Sequence, residues 1–304
     1  MQDLMKQEAT GFSKRALLII NPVSGRRLII RFVTKILRRL MDAGYLVTAT
    51  ITAAQGDATA FARDLGPFDL VVCAGGDGTL HETVGGLVQA DRSVPVGYIP
   101  CGSTNDFAVT HGIPILIPEA IERVALGSVR SFDIGRFGES FFLNTAAFGA
   151  FSWMAYTTDQ TRKNVLGITA YALDAAKELP HLKPRQMRIE VDGAVFEGDY
   201  LVGAICNCTS VLGIVELPEG YVDTCDGKLE VLLIRFPRTL PEFESIVRSL
   251  VTGTFNTPMI TLAQGKQITV SSEEPCIWSL DGESSGEITE ASITAIPGFL
   301  KMML

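Results

Sequence analysis

Over residues 15–127 short apolar runs alternate with segments of helical spacing, and three of those runs end in polar loops that contain glycine. Arg15–Ile20 leads into Asn21-Pro22-Val23-Ser24-Gly25, which is turn chemistry. Residues 27–42 then set Ile29, Phe32, Val33, Ile36, Leu37 and Leu40 on one side of an expected helix. Tyr45–Thr52 alternates as a strand does, and Asp57–Asp64 reads as helical. Asp69–Ala74 has the pattern of a buried strand; it precedes Gly75-Gly76-Asp77-Gly78-Thr79 and a helix expected from about Thr79 to Ala90. Val94–Pro100 is a further strand, ending in Cys101-Gly102-Ser103-Thr104-Asn105-Asp106, before a helix near Pro118–Gly127. Strands in alternation with helices predict an α/β domain, a parallel-type sheet flanked by helices on both faces.

From about Phe132 the rhythm changes. Strands are expected at 132–137, 140–147, 186–191, 195–206, 228–235, 268–271 and 276–280, with turns at Asp192-Gly193 and Asp226-Gly227 and helices near 162–178 and 239–252. A second, β-rich and sandwich-like domain follows from that pattern. The expected division is a nucleotide-binding domain over 14–131 and a β-rich domain over 132–294. The apolar stretch 295–304 is expected to pack back on the first domain.

Bulk properties exclude several classes. The formal net charge of −8 disfavours nucleic acid as a partner, since neutralising phosphates takes a basic excess. Met1–Ser13 has no apolar core of a signal peptide, and the longest weakly polar run, Tyr200–Val215, is short for a membrane span. The expected location is cytoplasmic, with any membrane contact made from the inner surface and no transmembrane segment. Cys73, Cys101, Cys206, Cys208, Cys225 and Cys276 form no CxxC pair and read as small thiols in a reducing compartment. His81, His111 and His181 lack metal-ligand spacing.

The chemistry lies in the loops. In a parallel sheet the ends of successive strands line the carboxyl edge, where ligands bind. Glycines there let backbone N–H groups approach phosphate oxygens, and the next helix adds its positive end. Gly75–Thr79 fits neither the dinucleotide fingerprint nor the P-loop. Its distinctive residue is Asp77, a carboxylate amid backbone donors. It reads either as a cap for the helix beginning near Thr79 or as a group facing phosphates through Mg²⁺.

Four motifs in order, Asn21-Pro-Val-Ser-Gly25, Gly75-Gly-Asp-Gly-Thr-Leu-His-Glu82, Gly102-Ser-Thr-Asn-Asp-Phe107 and Leu280-Asp-Gly-Glu283, resemble those of the diacylglycerol kinase catalytic family, its bacterial diacylglycerol kinase and YegS-type lipid kinases above all. The resemblance runs from about residue 14 to the C-terminus. It implies a nucleotide domain and a β-rich domain with the active site between them, and ATP and Mg²⁺ as cofactors. The implied reaction moves the γ-phosphoryl group of ATP to a lipid hydroxyl, with diacylglycerol giving phosphatidic acid as the first choice. By motif position Asn21, Pro22, Ser24, Gly25, Thr52, Gly75, Gly76, Asp77, Gly78, Thr79, Leu80, His81, Ser103, Asn105 and Asp106 would contact the nucleotide. Asp223-Thr-Cys-Asp226-Gly-Lys228 resembles a loop that binds a structural Mg²⁺ through the Asp226 carboxylate and neighbouring carbonyls; the alternative is a plain β-turn.

Glu283 aligns with the general base of the bacterial members, while the sphingosine kinase branch gives that role to the residue at Asp77, so both stand as candidates. Asp281 is a third catalytic candidate and would share a face with Glu283 if the segment is extended. His81 departs from the Asn of many bacterial members and leaves the acceptor lipid open. The helix after the first loop carries Arg26, Arg27, Arg31, Lys35, Arg38 and Arg39 without an acid, a face for anionic headgroups or simply for water. Phe148, Phe151, Trp153 and Met154 are candidates for an acyl-chain cleft or for core. Two rival readings are an NAD kinase-like phosphotransferase and an inactive lipid- or nucleotide-binding protein; a homodimer stays open as the assembly.

Overall fold

The computed structural model describes residues 13–25, 27–64, 66–103, 105–149, 183–211 and 215–304. Arg26, Thr104, Phe151, Trp153, Met154 and the helix expected near 162–178 lie outside the described residues. The chain divides into two compact units, Met1–Phe132 with Phe299–Leu304, and Asp133–Gly298.

In the first unit β1 (Lys14–Ile20), β2 (Tyr45–Ile51), β3 (Leu70–Gly75) and β4 (Pro95–Pro100) form a parallel sheet in the order β2-β1-β3-β4. The last strand of the chain adds to its edge, pairing Lys301 and Met302 with Pro95 and Val96. Helices α1 (Val33–Asp42), α2 (Asp57–Asp64), α3 (Asp77–Gln89), α4 (Asp106–Thr110) and α5 (Ile117–Leu126) follow the strands. Ala16, Leu18, Ile20, Leu70, Val72 and Ala74 share one core with Ile36 and Leu40 of α1 and Ile121 and Val124 of α5. The intervening Leu17, Ile19, Val71 and Cys73 are buried too. Both faces are therefore covered, and that is why these strands read as unbroken apolar runs.

The helix expected over 27–42 is instead two pieces, a 3-10 turn at Leu28–Phe32 and then α1, preceded by Arg27 in the left-handed region (φ 58). The helix expected from Thr79 starts two residues earlier at Asp77, and its N-cap is Gly76 without a side-chain cap. Asp77 therefore does not cap its own helix.

The second unit is antiparallel. Its strands are β5 (Val129–Phe137, which begins in the first unit), β6 (Ser140–Phe142), β7 (Thr145–Gly149), β8 (Arg185–Val191), β9 (Ala194–Cys206), β10 (Ser210–Val211), β11 (Val215–Glu216) and β12 (Leu229–Arg235). After helix α6 (Leu240–Thr252) come β13 (Ile260–Gly265), β14 (Gln267–Leu280) and β15 (Glu283–Met303). The order β13-β12-β9-β7-β14-β15 runs across the unit, and β8 also lies between β9 and β14. Strand β12 shows why the layers are sandwich-like: Leu232 and Ile234 pack with Phe243, Ile246 and Val247 of α6, while Leu229, Val231 and Leu233 pack with Phe148 and Trp278. Helix α6 starts at Thr239, whose hydroxyl accepts the Glu242 N–H while the Glu242 carboxylate accepts the Thr239 N–H, a reciprocal cap.

Three expectations change here. The strand expected over 140–147 breaks at Leu143-Asn144, and β13 was not foreseen. The two strands expected at 268–271 and 276–280 are one, β14, whose register shifts between Ser271 and Cys276. Among the described residues no helix is long and apolar enough to cross a membrane.

Candidate active site

The three glycine-bearing loops of the first unit are bound to one another. The Asn21 N–H donates to the Ala74 carbonyl (2.9 Å), and its side-chain amide donates to Thr79 Oγ1 (2.9 Å). Asn21 Oδ1 in turn accepts the Val23 N–H at 3.1 Å, so one Asn shapes its own turn and reaches the second loop. Ser24 Oγ accepts the Gly76 N–H at 3.2 Å. The Cys101 N–H donates to the Gly75 carbonyl (2.9 Å), and Asn105 Oδ1 accepts the Gly102 N–H at 2.8 Å. Gly76 and Gly102 meet backbone to backbone: a Cβ on Gly102 would lie 2.7 Å from Gly76 Cα. Only glycine permits that approach.

Asp77 sits at the centre. Its Oδ2 accepts the Asp106 N–H at 3.0 Å and its Oδ1 the Phe107 N–H at 3.2 Å, the two leading amides of α4. The Tyr98 hydroxyl lies 3.5 Å from Asp77 Oδ1 and 3.5 Å from Asn105 Oδ1. Burial first, and then the Asp77 charge, push the Tyr98 phenol well above its ordinary range. Burial, followed by the Asp77 charge, raises the Asp106 carboxyl.

Asn21, Ser24, Gly25, Gly75, Gly76, Asp77, Thr79, Asn105 and Asp106 are thus gathered at the carboxyl ends of β1, β3 and β4. Thr52 joins them at one remove, its N–H and hydroxyl both donating to the Ile20 carbonyl. Pro22 lies in the first turn, Gly78 is exposed in the first turn of α3, and Ser103 is exposed in the third loop. His81 lies one turn into α3, half-buried. Leu80 departs from the set, because its side chain is fully buried in the core. Tyr98 was missed by reading the sequence; the one signal was a hydroxyl-bearing residue inside the apolar strand β4.

In the second unit Asp281 (φ 49) and Gly282 (φ 92) form a two-residue turn between β14 and β15, and Glu283 opens β15 opposite Leu280. The segment is not extended, so the shared face expected of Asp281 and Glu283 does not exist. The Asp281 carboxylate instead accepts three backbone N–H groups: Leu143 at 2.7 Å, Asn144 at 2.8 Å and Thr145 at 2.9 Å. Glu283 is exposed.

The Asp223–Lys228 loop is tied inward by a residue the sequence reading passed over. Asp133 is 2% exposed; its carboxylate accepts the Gly227 N–H (2.6 Å) and the Gly298 N–H (2.7 Å), and its own N–H donates to the Thr224 carbonyl (2.9 Å). Its signal was an acid amid the apolar residues of β5. Asp223 Oδ1 accepts the Cys225 N–H (3.0 Å), and Asp226 Oδ1 accepts the Lys228 N–H (2.9 Å) with Lys228 Nζ 3.6 Å from Asp226 Oδ2. Near this loop the fully buried Glu230 leaves Oε2 without a hydrogen-bond partner. Burial, with the Asp226 and Asp223 charges behind it, raises that carboxyl to about 8. Among the described residues no group of three or more His, Cys, Asp or Glu side chains could hold a metal ion.

Residues 15–137 match the diacylglycerol kinase catalytic domain, and residues 146–304 match the YegS C-terminal NAD kinase beta sandwich-like domain. The chain is 34% identical to a diacylglycerol kinase of Bacillus subtilis over 90% of this chain and 91% of that one. It is 33% identical to a diacylglycerol kinase of Staphylococcus saprophyticus over 90% of each. A solved diacylglycerol kinase from Bacillus anthracis str. Sterne shares the fold, with a TM-score of 0.73 at 24% identity over 95% of this chain and 96% of that one. A second solved chain from that strain gives 0.75 at 26% identity, over 97% and 99%. With both halves of the chain matched and its curated relatives covered nearly end to end, the protein belongs to the diacylglycerol kinase family and is an ATP-dependent lipid kinase.

Proposed function

We propose that the chain phosphorylates diacylglycerol to phosphatidic acid at a membrane surface, with nucleotide bound by the three joined loops and Glu283 as general base. The observation that carries this reading is the Asp77 carboxylate held by the leading amides of α4 amid three interlocked glycine loops. Such loops present backbone donors and helix N-termini to phosphate oxygens. The choice of diacylglycerol rests on the names of the relatives.

In the proposed step Glu283 takes the proton of the lipid hydroxyl as that oxygen bonds to the γ-phosphorus. The bond from the γ-phosphorus to the bridging oxygen breaks, and ADP leaves with the electron pair. Asp77, with both oxygens already engaged by α4, organises the phosphate side of the site. Mg²⁺ supplies charge neutralisation on the phosphates when bound there. A second, structural Mg²⁺ fits the Asp223–Lys228 loop: the Asp226 carboxylate and nearby carbonyls offer the all-oxygen set a hard cation takes, and the buried Glu230 nearby leaves Oε2 without a hydrogen-bond partner. Exposed Arg31 in the 3-10 turn and Lys35 and Arg38 on α1 support attachment to the anionic inner surface of a membrane. A homodimer is compatible with this reading.

Labelled ATP, Mg²⁺ and a panel of diacylglycerol, sphingosine, phosphatidylglycerol and NAD test the acceptor. Label in phosphatidic acid is expected; transfer to NAD alone, or to nothing, would overturn the reading. For Glu283→Gln the expected result is a large fall in kcat with ATP binding intact.

A further inference from the structure

The turn that presents Glu283 is fastened by something other than its own hairpin. Among the described residues strand β7 pairs with β14 through Ala146, Ala147 and Phe148, opposite Leu280, Ser279 and Trp278. Beyond that ladder one residue continues the connection. Asp281 accepts the N–H groups of Leu143, Asn144 and Thr145, and its own N–H donates to the Thr145 carbonyl at 2.8 Å. The segment it grips is held from the other side as well, because the Asn207 N–H donates to the Asn144 carbonyl at 2.9 Å.

We propose that Asp281 is a positioning residue, whose carboxylate latches the β14–β15 turn to Leu143–Thr145 and thereby fixes where Glu283 stands. The inference rests on the reading of Glu283 as base. The residue type follows from two demands made at once. The turn needs a side chain that tolerates positive φ, which Asp and Asn do better than other non-glycine residues. The latch needs an acceptor at both oxygens, which an ionised Asp provides and Asn does not. In Asp281→Asn one of the three amides faces an NH₂ donor, while the backbone of the turn is unstrained. The substitution thus separates the latch from the fold of the turn.

Misplacement of a reacting group by about 1 Å costs on the order of a hundredfold in rate. Asp281→Asn is therefore expected to lower kcat by roughly ten- to a hundredfold, with the KM for ATP unchanged. Amide hydrogen exchange should accelerate at Leu143, Asn144 and Thr145 and stay slow in the rest of β7. Wild-type kcat in Asp281→Asn, a raised KM for ATP in place of a fall in kcat, or unaltered exchange at 143–145 would each overturn the latch. Wild-type kcat in Glu283→Gln would instead overturn the assignment of the base, an outcome that exchange at 143–145 cannot imitate.

Discussion

The carboxylate of Asp77 receives the backbone N–H of Phe107 at 3.2 Å, so the first residue of α3 holds the first turn of α4. A side chain in the second glycine loop thus fixes the end of the third. Asp77→Ala would leave the Asp106 and Phe107 amides without that acceptor, at a cost of about 1–2 kcal/mol. Activity should fall much further, by roughly a hundredfold or more, because the group proposed to arrange charge around the transferred phosphoryl is lost. Steady-state turnover with a thermal melt checks both; near-normal kcat would remove Asp77 from the site.

Gly102 tests the packing of the loops themselves. A Cβ there meets Gly76 Cα at 2.7 Å and Asn105 Oδ1 at 3.0 Å, so Gly102→Ala must push the second and third loops apart. Overpacking of this kind costs about 1–3 kcal/mol. The KM for ATP should rise by roughly tenfold, since the displaced amides are those proposed to face the phosphates. An unchanged KM would show that this contact serves the fold alone.

His111 makes the first unit sensitive to acid. Its ring lies between Phe107 and Phe132, with centroids 4.2 and 4.5 Å away, and burial, aided by Arg130, lowers its pKa to about 4. An imidazole whose folded pKa is below its unfolded value of about 6.5 takes up protons more readily when unfolded. Its contribution is therefore complete above pH 6.5 and is lost progressively as pH falls toward 4, by up to about 3 kcal/mol. His111→Phe should lose less stability than the wild type between pH 7 and pH 4.5 in denaturant titrations. Identical losses would show that other groups set the acid limit.

The basic residues of α1 and of the 3-10 turn before it divide into two kinds. The Arg39 guanidinium reaches both oxygens of Glu122, whose carboxyl it lowers, and is spent within the unit. Arg31, Lys35 and Arg38 are exposed. At about 1 kcal/mol for each residue near an anionic surface, replacing all three by Ala should weaken binding to phosphatidylglycerol vesicles by roughly a hundredfold. Arg39→Ala should lower the melting temperature and leave vesicle binding nearly unchanged. Sedimentation with vesicles separates the two, and equal loss from both variants would mean that α1 does not meet the lipid.

What could be read from the residues alone was local. Runs such as Leu17–Ile20 and Leu70–Ala74 announce buried strands because both faces of a parallel sheet are covered. Asn21–Gly25, Gly75–Thr79 and Gly102–Asp106 announce loops because glycine, proline and asparagine select backbone angles within a few residues. The expectation that these loops bear on phosphate followed from the strands they end.

Tertiary structure decided what depends on partners far along the chain. Asp77 read either as a cap for its own helix or as a group facing phosphates, and its acceptors are used by amides 29 and 30 residues later. Asp281 and Glu283 would share a face if the segment were extended, yet Asp281 turns back to amides 136 to 138 residues earlier, and positive φ at Asp281 and Gly282 makes a turn there instead. Asp133, marked in the sequence only as an acid within an apolar strand, joins Gly227 and Gly298. A buried carboxylate must find donors, and their chemistry is written in its own residue type. Which amides supply them is settled by the ladder pairings that bring distant backbone together, and no local pattern encodes that choice.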